Sequence, residues 1–486
     1  MSPHARNYIA GVWVDSDAKG QSTSPATGEV LGTFADAGAT ETDAAIEAAS
    51  EAFRNTEWSR DRHLRCRALF EMADRMEARR DELILMLSRE NGKILSEAAF
   101  EIDMTIPKLR YYGALALTSS GRAAEVKANL YSTTLTEAAG VAGVIAPWNS
   151  PVVLSVRSFA PALAAGCTVV MKLPAQIAQV NGLLYEIVAE TTSLPAGVMN
   201  MFTESGNVGA PMIIADPRVE VISYTGSTKV GRIIMQQAAT HLKAASLELG
   251  GKTPMIVFND ADLDQAVPVL VKAITTFSGQ FCMTGSRILV QDGIAGALRT
   301  RLVEALEAVK IGPGDDPSSD MGPVIDRANA ERIDRAIEDA SRYATPLRRG
   351  GIPKDPALQR GAYILPSLLE VEDTSSDLVQ REIFGPVATF EVFGTEEEAI
   401  ERANATEYGL AAGIWTRDVD LPRRVGREIK AGTIWTNTWA VIHDEFEEGG
   451  FKQSGVGRLN GVRALEEFQE IKHYVHPVGP ATSATS

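Results

Sequence analysis

Between residues 139 and 225 the sequence repeats one unit, a short apolar run followed by a helical segment. The apolar runs are too short for buried helices and are rich in β-branched residues, which favours strands. Strands are predicted at 141–146, 168–172, 198–202 and 219–224, with helices at 155–165, 178–193 and 206–215. Strands that alternate with helices at a spacing of about 25 residues predict a parallel, doubly wound α/β sheet. Ligands of such a sheet bind at the carboxyl ends of its strands.

A second alternating series and a separate hairpin complete the predicted architecture. After a glycine-containing hinge at 247–252, strands and helices alternate again to about residue 440. The stretch 121–138 instead predicts a β-hairpin, which is marginal alone and must pack on another surface. With the strand-like residues 471–475, it would offer edge strands to a partner subunit. We therefore expect two doubly wound α/β domains and a small β arm, assembled as a homodimer or homotetramer.

The charge balance limits the possible partners. The 486 residues include 63 acidic and 47 basic ones, a net charge of −16, and so acidic a surface disfavours nucleic acid and anionic membranes. No apolar run reaches the ~18 residues that a transmembrane helix needs. Cys66, Cys167 and Cys282 are too few and too scattered for a disulfide framework or a zinc site. We expect a cytoplasmic protein without a bound metal, which acts on a small molecule.

Polar residues stand at the predicted carboxyl ends of several strands. Asn149 follows the first strand, where its amide could hold a developing oxyanion or simply cap the next helix. Lys172 closes the second strand and could reach a ribose hydroxyl or remain solvated. Gly226 and Ser227 open a helix after the fourth strand, which suits a phosphate, although turns of this kind are common. All of these positions fall where a parallel sheet binds its ligands.

Two further residues, on either side of the hinge, suggest covalent chemistry. Cys282 lies in Gly-Gln-Phe-Cys-Met-Thr-Gly-Ser-Arg at 279–287, whose glycines and hydroxyl groups suit an irregular loop facing a cleft. A lone cysteine can equally be a buried packing residue. Glu248 is flanked by leucines, which would raise its pKa by desolvation. A carboxylate near a thiol offers a general base for the thiol or for a water molecule, although Glu248 could also be an ordinary exposed residue.

These residues occur in blocks that resemble the aldehyde dehydrogenase superfamily over nearly the whole chain. The blocks are Pro-Trp-Asn at 147–149, Thr-Gly-Ser-Thr at 225–228, Glu-Leu-Gly-Gly-Lys at 248–252, Gly-Gln-x-Cys at 279–282 and Glu-Ile-Phe-Gly-Pro at 382–386. The resemblance implies the oxidation of an aldehyde to the carboxylic acid with NAD or NADP, through a cysteine thiohemiacetal and a thioester. It also implies a dinucleotide-binding domain, a catalytic domain with the nucleophile, and an oligomerisation arm with a tail. These would cover 1–116 and 139–250, 251–455, and 117–138 and 456–486, in that order.

The resemblance implies a role for each matched position. Cys282 is expected to attack the aldehyde carbon, Asn149 to hold the oxyanion together with the Cys282 amide, and Glu248 to activate the deacylating water. The cofactor is expected to contact Trp148, Lys172, Ala175, Gly226, Ser227, Glu382 and Phe384. The substrate is expected to contact Arg157, Phe281 and Met283.

Two positions depart from the family pattern. Much of the family places a glutamate on the adenosine 2′-hydroxyl where this chain has Ala175. Its absence removes a repulsion toward a 2′-phosphate, so NADP becomes a candidate beside NAD. Arg157 stands where many members have an aromatic residue in the substrate tunnel. It either binds a carboxylate or phenolic oxygen of the substrate or pairs with the acidic run 444–448.

Two other functions remain open at the level of sequence. A CoA-acylating relative would transfer the acyl group to CoA, but such an enzyme does not need the water-activating base that Glu248 offers. A non-catalytic relative would use the fold only for assembly, but it would not need Cys282, Glu248 and Asn149 together.

Overall fold

The computed structural model of the protein describes residues 3–118 and 121–479, so the end of the predicted tail, 480–486, lies outside the described residues. The strands are β1 (His4–Ala5), β2 (Asn7–Ile9), β3 (Val12–Val14), β4 (Lys19–Thr23), β5 (Val30–Ala35), β6 (Arg122–Lys127), β7 (Leu130–Ala138), β8 (Val141–Ile145), β9 (Thr168–Pro174), β10 (Met199–Glu204), β11 (Val219–Thr225), β12 (Ala244–Glu248), β13 (Pro254–Val257), β14 (Arg287–Gln291), β15 (Thr345–Arg348), β16 (Ser367–Glu370), β17 (Val387–Phe393), β18 (Ala411–Trp415), β19 (Thr433–Thr436), β20 (Gly455–Val456) and β21 (Gln469–Pro477).

The α-helices are α1 (Ala39–Asn55), α2 (Arg62–Ala78), α3 (Arg80–Met86), α4 (Leu95–Leu115), α5 (Pro151–Ala165), α6 (Ala178–Ala189), α7 (Gly209–Ala215), α8 (Thr228–Ala238), α9 (Leu263–Thr275), α10 (Asp292–Glu307), α11 (Arg327–Ala340), α12 (Asp377–Gln380), α13 (Glu396–Asn404), α14 (Leu421–Glu428) and α15 (Arg463–Glu466). A π-helical turn covers Leu87–Asn91, and 3₁₀ turns cover Ala175–Ile177, Ala239–His241, Thr276–Gly279 and Lys452–Ser454.

The first large sheet has eight strands in the order β20-β12-β11-β8-β9-β10-β2-β3. Its five central strands, from β12 to β10, run parallel. After β8 the chain adds β9 and β10 on one side and then crosses to β11 and β12 on the other. The direction of winding therefore reverses between β8 and β11, and the crevice at their carboxyl ends is where such sheets bind ligands. Asn149 follows β8 and Gly226 follows β11, so the topology brings these two predicted residues together.

The second large sheet has the order β15-β16-β17-β14-β13-β18-β19 and is parallel except for β15. Its first strand in the chain, β13, follows β12 after the short linker 249–253, so Glu248 lies where the chain passes from one sheet to the other. Cys282 lies on the connection between α9 and β14. The predicted α/β fold with two parallel sheets is confirmed.

A small antiparallel sheet forms the predicted arm. Strand β7 pairs with β6 on one side and with β21 on the other, as the hairpin and the strand-like C-terminal residues predicted. All six residues of β6 are exposed. Large apolar side chains on the arm are also exposed, including Val126 at 55% and Ile471 at 75%. The arm therefore presents apolar side chains and edge strands to its surroundings.

The helices before the arm are more divided than the sequence pattern predicts. The apolar residues between about 61 and 90, from Leu64 to Leu87, recur at helical spacing and predict one long helix. In the structure the helix breaks at Arg79, and the segment ends in a π-helical turn before Gly92. The Arg79 side chain pairs with Glu82 and with Glu186, which ties the break to α6. Helix α4 runs through Pro107 and packs against α2 and α5. Across 3–118 and 121–479, no helix has the length and apolar character to cross a bilayer.

Candidate active site

A cavity of about 310 Å³ lies at the carboxyl edge of the first sheet, and its lining also includes residues from helix α11 and from two connections between elements of the second sheet. Eight of the predicted site residues line it, namely Trp148, Asn149, Gly226, Ser227, Glu248, Cys282, Glu382 and Phe384. The residues predicted as nucleophile, base and oxyanion holder therefore share one cavity with most of the predicted cofactor contacts. A side chain that sequence reasoning missed, Arg332 of α11, also lines it and donates to the Ile383 carbonyl at 2.7 Å.

The segment that carries Cys282 has an unusual backbone. Phe277, Ser278 and Gly279 have φ values of 53°, 55° and 71°, and the left-handed conformation costs roughly 1–2 kcal/mol for each residue with a side chain. A Cβ at Gly279 would lie 2.1 Å from the carbonyl carbon of Gly385, so only glycine fits there. The neighbours of this turn must hold it in place. Burial raises the pKa of the Cys282 thiol, and the negative charge of Glu448 raises it further.

Two hydrogen-bond donors suit an oxyanion beside Cys282. The Asn149 side-chain amide donates to the Gln280 carbonyl at 3.0 Å, and an amide NH₂ group has a second hydrogen to offer. The backbone N–H of Cys282 donates to no acceptor within the described residues. Donors placed in advance around a developing negative charge are the largest single source of catalysis in many acyl-transfer sites.

Glu248 has the environment of a general base. It ends β12, opposite Thr225 of β11, and only 3% of its surface is exposed. Burial raises its pKa to about 8, while the charge of Arg157 acts in the opposite direction. Its Oε1 atom accepts no hydrogen bond in the described part of the chain. A carboxylate with a pKa near neutrality and a free oxygen can accept a proton from water or from the thiol.

The other end of the cavity has groups that fit a nicotinamide dinucleotide. Ser227 caps α8, and the first backbone N–H groups of that helix, on Thr228 and Lys229, find no acceptor in the described ranges. Helix N-termini of this kind bind phosphate groups. Glu382 accepts from the Gly251 N–H at 3.0 Å, and burial raises its pKa to about 7. The rings of Trp148 and Phe384 stand edge to face at 5.5 Å and supply an apolar wall.

Lys172 and Ala175 lie beside this cavity rather than on its wall. Lys172 lies in β9, opposite Ile145 of β8, and its ammonium group forms no hydrogen bond or ion pair with any described residue. Burial lowers the pKa of its ammonium group, and the nearby charge of Glu204 opposes that shift. Glu204 ends β10 opposite Pro174, directly beside Ala175. A carboxylate therefore stands near the predicted ribose position, although the chain lacks one at residue 175.

Arg157 and the residues that it contacts form what we call the aldehyde side of the site, because the substrate was expected there. The Arg157 guanidinium is bound by other side chains of the protein. Arg157 is 3% exposed, lies 3.1 Å from the Glu448 carboxylate and donates to the Thr225 hydroxyl at 3.2 Å. The contacts continue from Glu448 to the Asn460 amide at 3.1 Å, from Asn460 to the Lys108 ammonium at 2.7 Å, and from Lys108 to Asp444. The sequence allowed either a substrate oxygen or the acidic run 444–448 as the partner of Arg157. In the structure Arg157 pairs with Glu448 of that run.

The other two predicted substrate residues differ from each other. Phe281 is half-buried, and its ring stands edge to face with Trp439 at 5.7 Å. Met283 is fully buried against Leu410 and Trp435. The prediction of a direct substrate contact disagrees with this position, because the apolar side chain is used in packing. The residue directly after a nucleophile need not face the same way as the nucleophile.

Comparison with known proteins shows the family of the chain. The model of the aldehyde dehydrogenase family matches residues 13–474. The chain belongs to the aldehyde dehydrogenase family. It is 37% identical over 476 residues to aldehyde dehydrogenase 1 of Tanacetum cinerariifolium, covering 97% of this chain and 95% of that protein. It is 35% identical over 480 residues to betaine aldehyde dehydrogenase of Bacillus subtilis, covering 98% of each.

A solved structure of the same family has the same fold. The crystal structure of betaine aldehyde dehydrogenase from Staphylococcus aureus in complex with NAD⁺ is 32% identical and superposes with a TM-score of 0.95, covering 99% of this chain and 97% of that one. As an aldehyde dehydrogenase, the protein oxidises an aldehyde to the carboxylic acid with a nicotinamide cofactor. The expectation of family, enzyme class and NAD or NADP as cofactor is confirmed.

Proposed function

We propose that Cys282, Asn149 and Glu248 carry out this oxidation by covalent catalysis on one aldehyde at a time. The observation that carries the proposal is their shared cavity, in which a thiol, two free oxyanion donors and a buried carboxylate with an unpartnered oxygen meet groups that fit a dinucleotide. When bound, the nicotinamide ring supplies the hydride acceptor.

Each step then follows from groups in the cavity. The Cys282 sulfur gives up its proton, to Glu248 or to water, and attacks the aldehyde carbon, so that a C–S bond forms and the carbonyl oxygen becomes an oxyanion. The Asn149 amide and the Cys282 N–H hold that oxyanion. Loss of hydride from the same carbon leaves a thioester. Glu248, after passing any proton from the thiol to solvent, then takes a proton from water while the water oxygen attacks the acyl carbon. Cleavage of the C–S bond releases the acid, and the sulfur takes that proton from Glu248, which restores the thiol.

A cysteine comparison tests this proposal. Cys282→Ala should abolish formation of acid and of reduced cofactor, while NAD⁺ binding measured by calorimetry persists. Cys167 is the matched control, because it is fully buried and its thiol contacts the Phe468 carbonyl at 3.3 Å, away from the cavity. Cys167→Ala should keep turnover per folded molecule. Wild-type turnover in Cys282→Ala would refute the covalent route, and a requirement for CoA would support the acylating alternative.

For the cofactor, we infer that NAD binds more tightly than NADP. The Glu204 Oε1 atom accepts from the N–H groups of Val208 and Gly209, but its Oε2 atom has no partner among the described residues. Lys172 beside it offers a donor, so the pair can serve both hydroxyls of a ribose. The Glu204 charge would repel a 2′-phosphate at this position, as an acidic residue does in other dinucleotide sites. Glu204 would thus supply the ribose-binding carboxylate that the chain lacks at Ala175.

For the substrate, we infer an uncharged or cationic aldehyde rather than one with a carboxylate. Arg157 and Lys108, the buried cations on the aldehyde side, are already paired with Glu448 and Asp444. The negative charges of Glu445 and Glu447 extend this acidic region toward Tyr111, whose pKa burial raises and these charges raise further. A substrate carboxylate would find repulsion and no free partner there. Among the relatives, the Bacillus subtilis enzyme is named for betaine aldehyde.

The assembly that we propose is a homodimer or homotetramer held through the β arm, within the cytoplasm. The exposed edge strands and apolar side chains of the arm support association with a second copy. The three cysteines are free thiols, which suits a reducing compartment. We also propose that the chain is divided into a dinucleotide-binding domain, a catalytic domain and the arm. Sedimentation as a monomer at micromolar concentration would contradict the proposed assembly.

A further inference from the structure

One stretch of the chain outside the predicted site, residues 91–101, contacts both the turn that carries Asn149 and the turn that precedes Cys282. It consists of the end of the π-helical turn and the first turns of α4. It carries three charged side chains: Lys93 and Glu101 are buried, at 2% and 1% exposed, and Glu97 is half-buried. None of the three was among the predicted site residues, because nothing in the local spacing of the sequence connects them to Asn149 or to Cys282.

On one side, this stretch holds the turn that carries the oxyanion residue. The Lys93 ammonium donates to the backbone carbonyl of Asn149 and pairs with Glu101 at 2.7 Å. Glu101 in turn accepts from the N–H groups of Val152 and Val153 at 2.8 and 3.2 Å. The preceding Asn91 donates to the Trp148 carbonyl at 2.7 Å. The backbone on both sides of the Asn149 side chain is therefore fixed.

On the other side, the same stretch holds the left-handed turn before Cys282. Glu97 accepts from the backbone N–H of Phe277 at 2.8 Å, and the Lys93 ammonium lies 4.3 Å from the centre of the Phe277 ring. Phe277 is the first of the three positive-φ residues. The opposite end of that turn is tied to Asn149 itself, through the Gln280 carbonyl.

A purely structural role for Glu97 does not explain all of these contacts. Its second oxygen accepts from the Ile94 N–H at 3.3 Å, as a helix-capping residue would. The contact with Phe277, however, lies 180 positions away along the chain and reaches a backbone conformation that needs outside support. Glu90 offers a comparison, since it is fully buried and accepts from the N–H groups of Gln179 and Val180 at the start of α6, but within the described residues its carboxylate forms no hydrogen bond with a cavity residue.

We propose that Lys93 and Glu97 are positioning residues, which hold the Asn149 amide and the Cys282 segment in a fixed relation to each other. This inference rests on the proposed roles of Asn149 and Cys282. Its physical basis is that oxyanion donors act only within about 0.5 Å of the productive geometry, and that a misplacement of about 1 Å can cost on the order of 100-fold in rate.

The test compares two glutamates that both accept from backbone N–H groups. Glu97→Ala should lower kcat by about 100-fold in the fully folded fraction, with NAD⁺ affinity by calorimetry unchanged. Glu90→Ala should lower the melting temperature but leave kcat per folded molecule within about twofold. Glu97→Gln keeps an oxygen that can accept from the Phe277 N–H, so it should recover most of the lost rate. Equal kcat values per folded molecule for Glu97→Ala, Glu90→Ala and wild type would overturn the proposal.

A double-mutant cycle covers the case in which Glu97→Ala fails to fold. Lys93→Met should lower kcat by about 100-fold in the wild-type background, but by less than about threefold in an Asn149→Ala background, because its effect passes through Asn149. Equal losses in both backgrounds would overturn the proposal. Failure of the proposed function is a separate result, since it requires Asn149→Ala and Cys282→Ala themselves to keep wild-type turnover.

Discussion

The polar groups around the cavity are satisfied in opposite ways on its cofactor side and on its aldehyde side. On the cofactor side, the N–H groups of Thr228 and Lys229 and the ammonium of Lys172 have no protein partner in the part of the chain that is described. On the aldehyde side, Arg157 and Glu448 pair with each other, and the contacts continue through Asn460 to Lys108 and Asp444. Polar groups without a protein partner are available to bind a ligand, whereas side chains that pair with each other mainly stabilise the structure around the site.

The difference separates two uses of charge within one active site. A donor without a partner gains a full hydrogen bond when a dinucleotide arrives. A buried ion pair gains little from a ligand that must first break it, and removal of one partner leaves an uncompensated charge. We therefore expect variants on the cofactor side to change binding selectivity, and variants on the aldehyde side to change stability and the pKa of Glu248.

The largest expected effect is the loss of stability in Arg157→Leu. The free energy of unfolding, measured with urea, should fall by about 3–5 kcal/mol because Glu448 is left buried and unpaired. Values of kcat/KM for succinate semialdehyde, benzaldehyde and propanal should fall together. The double variant Arg157→Leu with Glu448→Leu should recover much of the stability. A loss confined to succinate semialdehyde, with unchanged unfolding, would instead identify Arg157 as a substrate clamp.

On the cofactor side, the expected effect is a change of selectivity. Glu204→Gln should strengthen NADP⁺ binding by about tenfold relative to NAD⁺, because it removes a negative charge near the 2′-phosphate. Ala175→Glu should act in the opposite direction and weaken NADP⁺ more than NAD⁺. Calorimetry with both dinucleotides measures the two ratios. A wild-type enzyme that prefers NADP⁺, or a Glu204→Gln variant with an unchanged ratio, would contradict the role of Glu204.

The smallest expected effect is a shift in the pH dependence of thioester hydrolysis. The rate should rise with pH and level off above about 8, because Glu248 must lose its proton to act as a base and its pKa is raised to about 8. The Cys282 thiol does not titrate in this step, because it is in the thioester. Glu448→Gln removes an anion that raises the Glu248 pKa, so the midpoint should move to lower pH. Single-turnover hydrolysis measures it, and an upward shift would contradict this electrostatic account.

The same two sides differ in how far the sequence predicts them. Asn149, Gly226 and Ser227 directly follow buried strands, and the alternating pattern places such residues at one edge of a parallel sheet. The fold class and most of the cofactor wall could therefore be predicted. Glu204 also lies at the carboxyl end of a strand, but a glutamate at a strand end does not by itself predict a ribose contact.

The aldehyde side and the positioning residues could not be predicted in this way. Arg157 pairs with a residue almost 300 positions later, and only the acidic run suggested a partner at all. Lys93 and Glu97 look like ordinary residues at the start of a helix. Met283 follows the nucleophile in sequence, but the backbone turns its side chain into the apolar packing around Trp435. Each of these depends on tertiary contacts, which periodicity along the chain does not encode.

The most direct test of the central claim is an intact-mass measurement on Glu248→Gln after mixing with an excess of NAD⁺ and of propanal. The account predicts that one reduced cofactor forms per subunit and that the protein gains the mass of the aldehyde less two hydrogen atoms, located on Cys282 by peptide mapping. This is the mass of a thioester whose hydrolysis has been slowed. Reduced cofactor formed repeatedly without any adduct on Cys282, or an adduct that persists in Cys282→Ala, would contradict covalent catalysis at this residue.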